Sequence, residues 1–273
     1  MQTVEESATF ESNFTRRSLL KIMGMGAAVT AATAALAGCG GGSSSGSSSA
    51  GTEDQTILNA AATAEALAST MYANIITSSL YTSGLSGNAP DQAYLVAAFE
   101  QEVLHYNLLV SVGAKPLATT FYFPSGMFGA SSTYATTMNT LITLEDAFIA
   151  AYLIGISSFS ATANKVLAGQ ILGVESEHRT LARVIANDLS LGSTTGLSGT
   201  AEGVVPPSHA TNNIAYERRF GLTQISQVIT ALTPFVTAPT GSSAFGSTAY
   251  PLITTLPSSV SPGVTLDSTT PSA

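Results

Sequence analysis

The chain is poor in the residues from which covalent frameworks and large recognition surfaces are made. Its 273 residues contain one Cys and no Trp, and only 10% of them are charged. One cysteine excludes a disulfide framework. Lys+Arg 9 against Asp+Glu 17 gives a net charge of −8, which excludes a nucleic-acid partner, since binding the phosphate backbone needs a basic face. Missing Trp and 7% aromatic content argue against a binder built on large aromatic anchors. The length allows one or two domains. What is present is an Ala-, Ser- and Thr-rich chain, 45% hydrophobic, in which any charge inside an apolar stretch calls for a physical reason.

Thr15 to Lys21 read TRRSLLK, followed by an Ala/Gly-rich, weakly apolar run from Ile22 to Gly38. This resembles a twin-arginine export signal, with Arg16 and Arg17 as the pair. The run is short for a membrane span and ends in small residues, as a removable signal does. LAGC, Leu36 to Cys39, is similar to a bacterial lipobox, in which the cysteine is lipidated and becomes the first mature residue. GGGSSSGSSSAG, Gly40 to Gly51, has flexible-linker composition and a reach of about 20 Å. The resemblance implies export in the folded state and a lipid anchor at Cys39, on the periplasmic or outer side of a cell envelope. Loss of residues 1–38 removes Arg16, Arg17 and Lys21 with Glu5, Glu6 and Glu11, so the charge stays at −8. The expected division is a signal over 1–38, a lipidated Cys and linker over 39–53, a folded domain over 54–237, and a Pro/Ser/Thr-rich irregular or disordered tail over 238–273.

Within the folded part, four long stretches have helical composition with turn chemistry between them. They span about Thr56 to Leu80, Pro90 to Val112, Ser132 to Ala161 and Lys165 to Leu189, and a shorter fifth runs from about Leu222 to Phe235. The connection SVGAKPLATTFYFPSGMFGAS between the second and third is too long for a hairpin turn. It carries Phe121, Tyr122, Phe123 and Phe128, so it is expected to cross the bundle and pack on it. The fold class is all-α: a four-helix bundle with one long crossover.

Each of the four helices holds an acidic residue among apolar neighbours. Glu65 is the single interior charge of the first, Glu102 and His105 form Glu-x-x-His in the second, Glu145 lies in the third, and Glu175 and His178 form another Glu-x-x-His in the fourth. Positions i and i+3 share a helix face, so each Glu/His pair can point inward together. Four carboxylates converging in an apolar core repel one another unless cations neutralise them. With 12 Glu and 3 His, chance supplies only about 0.13 such pairs, so two in matching places are a strong signal. The pattern also repeats. Thr63-Ala-Glu65 is followed seven residues on by Tyr72, and Thr143-Leu-Glu145 seven residues on by Tyr152, with a Glu-x-x-His after each. Two helical hairpins related by a pseudo-twofold axis would set two equivalent half-sites face to face, room for two metal ions. Glu100, Asp146 and Glu177 fall on other faces, and His209 reads as a loop histidine.

This pattern resembles the ferritin-like di-iron carboxylate superfamily. More narrowly, GAKPLATTFYFP and VESEHRTLAR resemble bacterial ferritin-like proteins grouped with plant desiccation-related proteins. The resemblance implies Glu65 and Glu145 as terminal ligands, Glu102 and Glu175 as bridging ligands, and His105 and His178 as one nitrogen ligand per metal. Tyr72 and Tyr152 sit where superfamily members often place a tyrosine beside the cluster, and are the catalytic candidates. Two Fe or Mn ions suit such ligands, acting on O2, peroxide or Fe(II). The alternative is a stress-associated protein in which metal is structural or absent. No rubredoxin-like cysteine cluster is present to deliver electrons, and dimerisation is common in the superfamily.

Overall fold

The computed structural model describes residues 49–191 and 222–260. Arg16, Arg17, Cys39, most of the Gly/Ser linker, His209 and the last part of the tail lie outside them. Among the described residues there are five α-helices in the expected order: α1 Ser49–Ile76, α2 Ala89–Ser111, α3 Tyr134–Ser158, α4 Thr162–Asp188 and α5 Ile225–Val236; α1 begins inside the stretch expected to be linker and ends four residues before the expected Leu80. α1 packs chiefly on α2 and α3 on α4; the two hairpins meet through α1 against α3 and α2 against α4, and α5 closes over α1 and α3. The described residues form an all-α bundle of four long helices and a short fifth, with a crossover between the second and third helices.

α1 is apolar on almost every side, from Ala60 to Ala73, which suits a helix surrounded by partners. Its alanines let neighbouring helices approach closely. α3 is also mostly buried: Ser131–Ser158 is long and apolar enough to cross a membrane, but the greater part of it is covered by the other helices, as in a core helix. After α1 the chain makes one π-helical turn, Leu80–Gly84. It turns again at Gly87, whose φ of 89° is left-handed, a conformation glycine adopts freely. Asn88 then caps α2 by accepting from the Asp91 amide, with Pro in the first turn, where its missing N–H costs nothing.

The boundary between α3 and α4 differs from the sequence expectation. α3 ends at Ser158 and α4 starts at Thr162, with no Gly or Pro to mark either. The start is set from far away in the chain. Asp54, on α1, accepts from the amides of Ser160 at 2.7 Å and Ala161 at 3.1 Å, and from the side chain of Asn164 at 3.1 Å. A carboxylate thus satisfies amides that α4 leaves unpaired at its N-terminus.

The crossover does lie on the bundle. Two short strands, β1 Thr120–Phe121 and β2 Tyr250–Pro251, pair antiparallel, and Tyr122 donates its amide to the Phe235 carbonyl of α5 at 2.8 Å. Residues 238–260, expected from composition to be irregular, have little regular structure but run back over the crossover. Gly246 donates to Phe123 and Leu252 to Thr119, and Phe245 is buried. Phe123 meets Phe128 and Tyr250 edge-on, and Phe235 meets Phe245 at 5.0 Å, the geometry that aromatic quadrupoles favour.

Candidate metal centre

All six Glu and His residues come together between α1, α2, α3 and α4. Glu65 is 1% exposed, Glu102, Glu145 and Glu175 are fully buried, His178 is 1% exposed and His105 9%. Their donor atoms form two overlapping sets, Glu65/Glu102/His105/Glu175 and Glu102/Glu145/Glu175/His178, within each of which all lie inside 4.8 Å of one another. Glu102 and Glu175 belong to both. His105 Nδ1 stands 3.4 Å from Glu65 and 3.2 Å from Glu175; His178 Nδ1 stands 2.7 Å from Glu102 and 3.8 Å from Glu175. The i,i+3 spacing on α2 and α4 aims each Glu/His pair inward, and one carboxylate from α1 and one from α3 complete the two sets.

The tyrosines tie the hairpins together crosswise. Tyr72 of α1 donates its hydroxyl to Glu145 Oε1 of α3 at 2.6 Å, and Tyr152 of α3 donates to Glu65 Oε1 of α1. Each carboxylate so loses the freedom of one oxygen and keeps the other aimed at the cluster. Both tyrosines also form part of the wall of a small apolar cleft, Tyr152 with Ile57, Leu109, Phe159 and Leu167, Tyr72 with Leu95, Leu141 and His178.

Electrostatics reflect the crowding of buried carboxylates. Burial, then the charges of Glu175 and Glu102, push the Glu65 and Glu145 carboxyls well above their ordinary range. Burial acts most strongly, to raise Glu102, but the charge of His178 together with hydrogen bonds involving Glu65, His105 and His178 outweighs it and holds that carboxyl low. Against the opposing effect of burial, the neighbouring carboxyl groups Glu65, Glu102 and Glu175 raise His105 well above its ordinary value, and Glu102 raises His178 to about 9. The tyrosine hydroxyls are pushed well up by burial and by their carboxylate partners.

The donor set fits a pair of metal ions. Glu65 Oε2, Glu145 Oε2, both oxygens of Glu102 and Glu175, and Nδ1 of His105 and His178 are buried without a well-directed hydrogen bond. Such atoms cost about 1–3 kcal/mol each when left unsatisfied, more when charged, and they converge. Oxygen-rich ligation with one imidazole per position suits iron or manganese.

Residues 53–188 match the family model for the ferritin-like domain. Over that span, just under half of its length, the chain is similar to ferritin-like domains. No curated protein and no solved structure matches the chain. The matched residues include all six ligand-type side chains and both tyrosines. Outside the two sets, Asp146 stands 3.7 Å from Arg179, Glu177 is exposed and Glu100 half-buried. Two features of the bundle escape the sequence pattern. Gln101 Oε1 lies 2.7 Å from His178 Nε2; beside Glu102 in α2, it reads as an ordinary polar residue until α4 is placed against it. Arg179 and Arg183 are buried, although their charge reads as surface.

Proposed function

We propose that the ferritin-like domain binds two iron or manganese ions and carries out redox chemistry on a small oxidant or reductant: O2, peroxide or Fe(II). The convergence of buried carboxylate and imidazole atoms without well-directed hydrogen bonds into two sets that share Glu102 and Glu175 supports this reading. When bound, an Fe or Mn pair supplies one-electron redox change at each ion. The chain's own residues do the rest. Tyr152 and Tyr72 orient Glu65 and Glu145, the apolar helix faces exclude water and so strengthen each electrostatic contact, and the carboxylates release protons as cations take their place.

The test is metal content per chain by mass spectrometry, followed by turnover assays with peroxide and with Fe(II) plus O2. About two ions per chain, with turnover abolished in Glu102→Ala, is the expected result. Metal that raises the melting temperature without any turnover would assign the protein instead to a structural, stress-associated role.

We further infer that the domain works outside the cytoplasm on a lipid tether. TRRSLLK, LAGC and the Gly/Ser linker support this. Arg16→Lys with Arg17→Lys is expected to block export, and Cys39→Ser to move the protein from the membrane to the soluble fraction. Unchanged fractionation in both variants would remove the idea.

A further inference from the structure

The two halves of the cluster share a pattern but differ in one contact. Aligning the Glu-x-x-His motifs sets Glu102 against Glu175 and His105 against His178, which sets Gln101 against Val174. Gln101 of α2 reaches across to the ring of His178 on α4, with its Oε1 2.7 Å from Nε2. By the pseudo-twofold relation, the residue that would do the same for His105 is Val174, which has no polar atom to offer. Among the described residues no hydrogen bond to His105 Nε2 is found, and the side chain of His105 is 11% exposed against 1% for His178.

The contact fixes a chemical state. His178 presents Nδ1 to the carboxylates, so a cation there takes the Nδ1 lone pair and the ring proton must sit on Nε2. In the imidazolium form Nε2 carries a proton as well. In both states Nε2–H donates to the Gln101 carbonyl oxygen, which holds the ring plane and the tautomer that ligation needs. Outer partners of this type are worth 10–100-fold in metal affinity. The tyrosine contacts cannot create an inequality, because Tyr72 serves Glu145 as Tyr152 serves Glu65.

We propose that Gln101 is a positioning residue for His178, and that through it the two metal positions are unequal: the Glu102/Glu145/Glu175/His178 position fills first and holds its ion more tightly than the Glu65/Glu102/His105/Glu175 position. This rests on the di-metal reading above. The more exposed His105 position is then the one that exchanges its ion with solution.

Calorimetric titration of the full-length, metal-stripped chain with Mn2+ alone tests it. Wild type is expected to take up two ions in separable steps at least about tenfold apart. Gln101→Leu should weaken the tighter step about tenfold or more and leave the weaker one alone, while Gln101→Glu, which keeps an acceptor, should retain it. NMR of the Zn2+-loaded protein reads the ring directly. A slowly exchanging Nε2–H on His178 should be present in wild type and Gln101→Glu, and rapidly exchanging in Gln101→Leu. Equal steps in wild type, or a Gln101→Leu variant that weakens both steps alike or neither, overturns the assignment while the di-metal reading stands. Failure of wild type to bind any Mn2+ overturns both.

Discussion

Glu102 stands against both imidazoles, 3.7 Å from His105 Nδ1 and 2.7 Å from His178 Nδ1, whereas Glu65 and Glu145 each belong to one set. Removing Glu102 should therefore empty both positions, while Glu65→Ala should leave about one ion per chain; mass spectrometry of purified variants counts them. The tyrosines give a second test. Tyr152→Phe leaves Glu65 Oε1 buried without its donor, which should cost about 1–3 kcal/mol in urea unfolding and loosen only the position that uses Glu65. Tyr72→Phe should do the same at the other. These six ligand-type residues were legible in the sequence because a carboxylate in an apolar helix face has so few physical explanations. Gln101 was not, since a glutamine on a helix is unremarkable until the facing helix is in place.

At the scale of elements, Asp54 shows how a distant residue can set a helix start. Its carboxyl is pushed up by burial, yet donation from Ser160, Ala161 and Asn164 holds it below its ordinary value in the folded chain. A carboxyl lowered on folding contributes stability above its unfolded value of 3.8 and loses it as pH falls through the folded value. Asp54→Ala should thus cost about 1 kcal/mol at pH 7, and the gap between variant and wild type in urea titrations should close in acid, below pH 3.8. A gap that persists unchanged there would mean that packing, not the charged cap, is responsible. Helix existence was readable from composition and from the Gly and Pro stops around α2. The α3/α4 boundary was not, because its cap lies 106 residues upstream of Ser160, beyond the reach of any local pattern.

For the whole molecule, the aromatic clamp and the carboxylate cluster are seated in different places. The crossover and residues 238–260 are held by an aromatic cluster in which Phe245 packs edge-on to Phe235, while the four helices are joined through the carboxylate cluster. Composition concealed the first, because a Pro-, Ser- and Thr-rich stretch without periodicity gives no sign that one buried phenylalanine and a two-residue strand anchor it. Phe245→Ala should cost about 3 kcal/mol by the usual toll of emptying an aromatic site, with metal stoichiometry intact. Metal acts on the same equilibrium by mass action, adding about 2.7 kcal/mol when the free ion stands at 100 times its dissociation constant. Sites without shared partners add, so Mn2+ should raise the stability of Phe245→Ala and of wild type by equal amounts in urea unfolding. An increment that vanished in the variant would show that the aromatic clamp, and not the helix bundle alone, keeps the carboxylates in register for the ions.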